Sequence, residues 1–282
     1  MLRRLQISPE RRNSLILAFA AFVVVFVLWQ WSEAAPLLFP FRLLVTFVHE
    51  TGHGLAALAT GGEFLGFVVQ PNGAGLTSSR GGIGWIILPM GYLGAAIFGA
   101  VLLIATNRVR KLEWVTLALG AYFIGAAILF TQEGKLELLL GVGAAFVLWA
   151  LADRWTEHAL KLRIAAGVAA LFAIFAVRNN VALLVGLISG GVIAWLGVYA
   201  KRPVTLFVLN ALAFIVGFNA VNDISSLWNN RTASLGEVRN DAYAMANVTH
   251  IPVEVWIILW TLLAVAIMGV GAYYAFIRAR EE

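Results

Sequence analysis

The segment Pro36–Thr60 reads PLLFPFRLLVTFVHETGHGLAALAT, and its centre, His49-Glu50-Thr51-Gly52-His53, is the most informative stretch of the chain. Two imidazoles and a carboxylate are unfavourable in an apolar, membrane-type segment unless a partner offsets their desolvation. On a helix, His49 and His53 lie one turn apart on the same face. The H-E-x-x-H spacing is typical of a zinc site in which the glutamate is the general base. The motif therefore predicts one Zn²⁺ ion, with Glu50 as the catalytic base.

The composition around this motif predicts a polytopic helical membrane protein. Of the 282 residues, 61% are hydrophobic and 12% are charged, whereas an ordinary soluble domain has about 25% charged residues. A spanning helix needs roughly 17–25 apolar residues. Apolar segments of about this length are residues 14–32, 36–60, 82–106, 113–131, 136–152, 161–177, 181–199, 203–222 and 254–277. The expected fold class is all-α, with about eight or nine transmembrane helices.

Two polar intervals interrupt the apolar segments. In the first, Phe64–Gln70 is rich in β-formers, Pro71-Asn72-Gly73 is a turn signal, and Gly75–Ser78 offers a return strand. This pattern predicts a short β-hairpin directly after the H-E-x-x-H helix. In the second interval, Asp241–Val248 is predicted to form a short helix that ends before Pro252.

Charge and cysteine content exclude several classes of function. The net charge is +5, but the basic residues form short clusters between apolar segments, as membrane-flanking anchors do. Nucleic acid is therefore not an expected partner. There are no cysteines, which excludes disulfides and thiolate metal sites, so a metal must be held by histidine and carboxylate. The first apolar segment resembles a signal peptide but is long for one, and an uncleaved first span is expected.

The basic clusters leave the orientation in the membrane open. With nine simple crossings, the loops at 108–111, 154–163 and 201–202 and the C-terminal arginines fall on one side, and the basic N-terminal arm falls on the other. The positive-inside rule cannot satisfy both. One explanation is that an early segment does not cross the membrane fully, and a re-entrant hairpin at 61–81 is the natural candidate. The other is that the N-terminal arm does not follow the positive-inside rule.

Two imidazoles leave a zinc ion in need of a third protein ligand. Asp223 is the favoured candidate because it ends an apolar segment and is placed to enter a helix bundle. Asp241 and His250 are the alternatives. Asn219, one helical turn before Asp223, and Asn222 are candidates for contacts to the substrate or to a developing oxyanion. Interhelical hydrogen bonds would explain these two asparagines equally well.

The chain resembles the site-2 protease family of intramembrane zinc metalloproteases, and in particular a compact bacterial branch. The matching pieces are HETGHG at 49–54, QPNGAGLT at 70–77, LPMGYLG at 88–94, NDI at 222–224, NDA at 240–242 and THIP at 249–252. The resemblance implies that His49, His53 and Asp223 bind zinc and that Glu50 is the base. It also implies one integral membrane domain, 1–282, with a metalloprotease-like core at about 36–106 plus 203–277 and intervening helices at 113–199. The implied location is the bacterial cell membrane.

The function expected is hydrolysis of peptide bonds in membrane-associated proteins or peptides, with Glu50 activating a zinc-bound water. One alternative is a non-catalytic scaffold or client-binding membrane protein of the same fold. Another is a metal or solute transporter, which the sequence favours less because it shows no inverted repeat. The sequence does not predict the substrate or the oligomeric state.

Overall fold

The computed structural model describes residues 9–31, 33, 35–131, 135–176, 181–229 and 241–278, with the backbone alone at 9–10, 135, 174–176 and 220–229. The helices are α1 (Pro9–Gln30), α2 (Ala35–Ala59), α3 (Gly84–Ile87), α4 (Met90–Arg108), α5 (Leu112–Phe130), α6 (Lys135–Arg154), α7 (Ala159–Ala176), α8 (Ala182–Tyr199), α9 (Arg202–Asn229), α10 (Asp241–Thr249) and α11 (Val253–Ala272). A 3-10 turn, Thr156–His158, precedes α7, and a π-helical turn, Tyr273–Ile277, extends α11.

Each predicted apolar segment overlaps a helix, and the protein is a multi-pass integral membrane protein. In the described part of the chain, seven helices are long and apolar enough to cross a membrane, namely α1, α4, α5, α6, α8, the first part of α9, and α11 with its π-helical turn. The expected total of eight or nine spans stays a prediction. Helix α2 is not among the seven; it carries Arg42, His49, Glu50 and His53, and these polar residues reduce its hydropathy.

The predicted short β-hairpin after the second helix is confirmed. Strand β1 (Glu63–Val69) pairs antiparallel with β2 (Gly75–Arg80). The turn between them closes with hydrogen bonds from Gln70 N to Ala74 O at 2.7 Å and from Gly73 N to Gln70 O at 2.9 Å. Gly73 has φ +91°, a left-handed conformation that glycine adopts without steric cost.

One predicted segment is divided in the structure. The apolar run at 82–106 becomes the single turn α3 and the long helix α4, separated at Leu88 and Pro89. Pro89 has no N–H to donate into the helix ladder, although Leu88 and Pro89 both keep helical backbone angles. The start of α4 then lies against the His-containing part of α2.

The core joins both halves of the sequence. Phe47 of α2 is fully buried and meets Phe67 of β1 edge-on, with ring centroids 4.9 Å apart, and it lies 5.5 Å from Phe123 of α5. Tyr92 near the start of α4 stacks on the buried Trp260 of α11 at 5.9 Å. These contacts fix α2 between the hairpin, α4 and α5, and they hold the histidine-bearing turn in place.

Candidate metal centre

Three side chains from distant parts of the chain converge at one point. His49 and His53 come from adjacent turns of α2, and Asp241 is the first residue of α10. The Nε2 atoms of the two histidines are 3.0 Å apart, and Asp241 Oδ2 lies 3.4 Å from His49 Nε2 and 3.5 Å from His53 Nε2. They are the one group of three or more His, Asp or Glu ligand atoms found within 4.8 Å of one another among the described residues.

The spacing of these atoms fits a tetrahedral metal ion. Zinc binds imidazole nitrogen and carboxylate oxygen at about 2.0–2.2 Å, so two ligands of one tetrahedral ion lie about 3.3–3.5 Å apart. The three observed separations, 3.0, 3.4 and 3.5 Å, differ from that range by a few tenths of an ångström at most. Two nitrogens and one carboxylate oxygen are also the ligand types that zinc takes in catalytic sites with three protein ligands.

The orientation of His53 suits a ligand. Its Nδ1 lies 2.8 Å from the carbonyl oxygen of Ile87 at the end of α3. A carbonyl oxygen only accepts, so Nδ1 carries the proton and donates it, which leaves Nε2 free to bind a metal. The short α3 turn therefore sets the tautomer of His53.

Asp241 is ionised in this environment. Burial raises the pKa of the Asp241 carboxyl, but the two neighbouring imidazoles lower it by more, and the net pKa lies well below its usual range. The side chain keeps 27% of its surface exposed. A carboxylate must be deprotonated to bind a metal, and Asp241 meets that condition at neutral pH.

The start of α4 covers the imidazoles closely. A Cβ atom added to Gly91 would lie 2.5 Å from His53 Nε2 and closer still to Nε2 of His49. Tyr92, the next residue, places its ring edge-to-face against the His49 ring with centroids 4.5 Å apart. Only a glycine at position 91 lets the backbone of α4 approach the two nitrogens this closely.

Glu50 is buried beside the hairpin. Its side chain has 6% of its surface exposed. The hydroxyl of Thr77 in β2 lies 2.7 Å from Glu50 Oε2 and 2.8 Å from the Glu50 carbonyl oxygen, and it donates to these acceptors. A Cβ atom added to Gly75 would collide with the Glu50 carboxylate. Strand β2 thus holds the Glu50 side chain through Thr77 and leaves space for it at Gly75.

The two glycines of the motif have packing roles. A Cβ atom added to Gly52 would overlap the backbone carbonyl of Met90, and one added to Gly54 would overlap the ring of Phe64. Gly52 therefore allows close contact between α2 and α4, and Gly54 allows contact between α2 and β1. Such small-residue contacts are common between membrane helices.

A comparison with protein-family models identifies the family. The model described as Peptidase M50B-like matches residues 18–160 and 139–271, which is most of the chain. The chain belongs to the Peptidase M50B-like family. This family implies zinc, and the group of His49, His53 and Asp241 is consistent with a metal site. The curated proteins and the solved structures that were compared contain no match to this M50B-like chain.

The structure brings together three of the residues predicted for the site, and it leaves others untested. Asp241 was an alternative third ligand, and among the described residues its carboxylate lies at the two histidines of this M50B-like protein. The favoured candidate, Asp223, lies in α9, but its side chain and that of Asn222 are outside the described residues. Asn219 is buried in α9. His250 is exposed at the end of α10 with φ +58°. The roles of these four residues stay predictions.

Some contributors to the site had no predicted role. Thr77 and Gly91 fall in pieces of sequence that resemble the site-2 protease family, but nothing in their residue type shows a contact to Glu50 or to the imidazoles. The carbonyl of Ile87 carries no sequence signal, because every residue has one. The split of the 82–106 segment at Pro89 was the available clue that a turn approaches α2 at this point.

Proposed function

We propose that this chain is a zinc metallopeptidase that hydrolyses peptide bonds of membrane-associated proteins. The observation that carries the proposal is the triangle of His49 Nε2, His53 Nε2 and Asp241 Oδ2, with separations of 3.0, 3.4 and 3.5 Å. The buried Glu50 follows His49 directly in the same helical turn. Membership in the M50B-like family supports the peptidase assignment.

In this proposal His49, His53 and Asp241 hold the metal. A zinc ion bound there would act as a Lewis acid toward the scissile carbonyl and lower the pKa of a water molecule toward about 7. Glu50 accepts the proton of the attacking water and donates it to the leaving amine. Thr77 keeps the Glu50 side chain in one rotamer by its hydrogen bond to Oε2. Tyr92 and Gly91 restrict the movement of the His49 ring.

We propose that an extended substrate segment pairs with the outer edge of β2. One edge of β1 pairs with β2, and the other is occupied by a bridge from Phe67 to Thr131 and by the hydrogen bond from Val181 N to Val69 O at 2.8 Å. Within the described residues the sheet has two strands, so the outer edge of β2 has no strand partner. A peptide must be extended for its carbonyls to be attacked, and strand addition at an edge holds it so.

The decisive test separates zinc binding from catalysis. Glu50→Gln keeps the size of the side chain and removes the base, so the purified variant is expected to hold one zinc ion per chain and to have lost cleavage of a single-span test protein in proteoliposomes. His49→Ala is the matched control, because it is expected to lose both zinc and cleavage. Undiminished cleavage by Glu50→Gln would refute the role of Glu50.

The same experiment addresses the alternative functions. If the wild-type protein binds zinc but cleaves none of a panel of single-span proteins, and Glu50→Gln has no phenotype in cells, the non-catalytic scaffold interpretation is favoured. Uptake of zinc into proteoliposomes that stops in His49→Ala would favour a transporter.

A further inference from the structure

Hydrogen bonds between arginine side chains and helix ends gather three helix termini at one end of the molecule. Arg11 at the start of α1 donates to the carbonyl of Phe276 after α11, at 3.2 Å. Arg108 at the end of α4 donates to the carbonyls of Tyr274, at 2.7 Å, and Arg278. Since the free carbonyls at a helix C-terminus carry partial negative charge, these contacts are electrostatically favourable.

The ends of two more helices join this group. Arg202 at the start of α9 donates to the carbonyl of Arg110, in the short connection from α4 to α5, at 2.7 Å. Helix α8 ends at Tyr199, three residues before Arg202, so its terminus lies here as well. We call this end of the molecule the basic end. Its described basic residues are Arg11, Arg12, Arg108, Arg110, Lys111, Lys201, Arg202 and Arg278.

The metal group lies at the opposite end of the same helices. Helix α4 begins beside the imidazoles at Gly91 and ends at Arg108. Helix α5 begins next to Lys111 and ends at Phe130, and the next residue, Thr131, bridges to β1 of the hairpin. The nineteen residues of α4 are about 28 Å long at 1.5 Å per residue, close to the thickness of a bilayer core.

Two further helices repeat this arrangement. Helix α8 begins just after Val181, whose N–H donates to Val69 of β1, and it ends at the basic end. In α11, Trp260 near the start stacks on Tyr92, the neighbour of His49, and the helix leads to Arg278. Four helices thus connect the basic end to the end that carries the hairpin and the histidines.

The positions of α1 and α4 resolve the sidedness conflict in the sequence. Helix α1 starts at the basic end and α4 finishes there. The segment that joins them, residues 31–89, therefore begins and ends at the opposite end of the molecule, which we call the far end. Helix α2, the hairpin and α3 therefore make no net crossing, and α2 is not among the helices apolar enough to span. Arg11 and Arg12, at the start of α1, then lie on the same side as the basic loops at 108–111 and 201–202.

The far end is less basic. In the described side chains, Arg42 and Arg80 lie toward it: Arg42 is one turn before Thr46, which contacts the hairpin, and Arg80 is paired with Glu63 at 2.6 Å. Lysine and arginine in short loops face the cytoplasm, where anionic lipids attract them. We infer that the basic end is cytoplasmic and that the metal group and the hairpin face the opposite side of the membrane. Given the proposed function, the substrates are then the extracytoplasmic ends of membrane-inserted segments.

The chain is suited to a labelling test because it has no cysteine. Ser79→Cys introduces a thiol at an exposed position of β2, and Val109→Cys introduces one at an exposed position of the basic end. In full-length protein expressed in bacterial cells, a membrane-impermeant maleimide is expected to label Ser79→Cys in intact spheroplasts, and Val109→Cys only in inverted vesicles. The reverse pattern, or both thiols labelled from one side, would overturn the inference.

A reporter fused after Glu282 gives an independent reading. Green fluorescent protein becomes fluorescent in the cytoplasm, and alkaline phosphatase becomes active outside it. Fluorescence of the first fusion and inactivity of the second are expected, and the opposite result contradicts the orientation. This measurement does not depend on whether either cysteine variant folds.

The substrate part is tested with two single-span proteins that differ only in the position of one unwound, glycine-rich segment. Cleavage by the wild type, and not by Glu50→Gln, is expected when the segment is at the outer end and not when it is at the inner end. Cleavage at the inner end alone overturns the substrate assignment. Correct labelling with neither protein cleaved would contradict the proposed function and leave the orientation intact.

Discussion

Replacing Gly91 by alanine tests whether the start of α4 shapes the metal site. The added Cβ would lie 2.5 Å from His53 Nε2, whereas ordinary contact begins at about 3.4 Å, so this atom or the backbone of α4 must move by roughly 1 Å. His49 Nε2 is closer still and must move further. Metal–ligand distances tolerate changes of only about 0.2 Å. The variant is therefore expected to bind zinc far more weakly.

The size of the effect follows from two physical terms. Inserting a methyl group into a packed site costs about 1–3 kcal/mol. Disturbing the groups that orient metal ligands typically reduces metal affinity or activity by about 10–100-fold. Since the inserted methyl meets both imidazoles directly, we expect at least the upper part of that range for Gly91→Ala, with the helical fold retained.

The assay is zinc competition against a chelator of known affinity, with the metal content of the purified protein measured by mass spectrometry. Thermal unfolding in the presence of excess chelator reports the stability of the fold separately. Gly125→Ala is the matched control, because a Cβ at Gly125 in α5 meets nothing within 4 Å. Wild-type zinc affinity and cleavage rate in Gly91→Ala would refute the reasoning.

Three further variants test other parts of the site. Asp241→Ala is expected to abolish stoichiometric zinc binding and Asp223→Ala to retain it, by metal analysis of the purified proteins; the opposite pair of results would make Asp223 the third ligand. Thr77→Val removes the hydroxyl that donates to Glu50 and is expected to lower kcat about 10-fold or more with zinc retained, whereas Thr77→Ser keeps the wild-type rate; equal rates for both variants would exclude a positioning role. Phe67→Ala opens a cavity at a fully buried position of β1 and is expected to lower the free energy of unfolding by about 3–5 kcal/mol, measured by chemical denaturation in detergent; a loss below about 1 kcal/mol would show that the hairpin is loosely packed.

Much of the fold followed from local features of the sequence. The apolar segments predicted the long helices because a membrane span must satisfy its backbone hydrogen bonds within one helix. The hairpin followed from the Pro71-Asn72-Gly73 turn between two short β-rich pieces, and the structure confirms it. The short helix predicted at Asp241–Val248 is confirmed as α10, Asp241–Thr249.

The composition of the site was harder to predict, because it depends on contacts between distant segments. His49 and His53 are linked by helical spacing, which is visible in the sequence. Asp241 reaches them because α10 packs on α11, which in turn packs on α4, and no periodicity encodes this arrangement. Asp223 was favoured because its position after an apolar segment was the strongest local signal; its side chain lies outside the described residues, and its role stays a prediction. Local signals do not rank two acids that compete for one position in space.

The orientation was also hidden in long-range contacts. The sequence placed the N-terminal arm opposite the other basic loops only because every apolar segment was counted as a full crossing. The hydrogen bond from Arg11 to Phe276 joins residues 265 positions apart, and it shows that one of the early segments returns to the side it came from. Helix α2 is the segment whose polar residues make it unsuited to a full crossing.

The separation of Asp241 from the histidine turn has a consequence for biosynthesis. Gly91 completes the environment of the two imidazoles early in translation, but Asp241 is made 150 residues later. At roughly 5–20 residues per second, a ribosome needs about 8–30 s to reach it. A nascent chain therefore lacks the carboxylate of its proposed metal site until insertion is almost finished. Under the proposed function, the unfinished chain would then cleave neither itself nor its neighbours at the translocon before Asp241 is made.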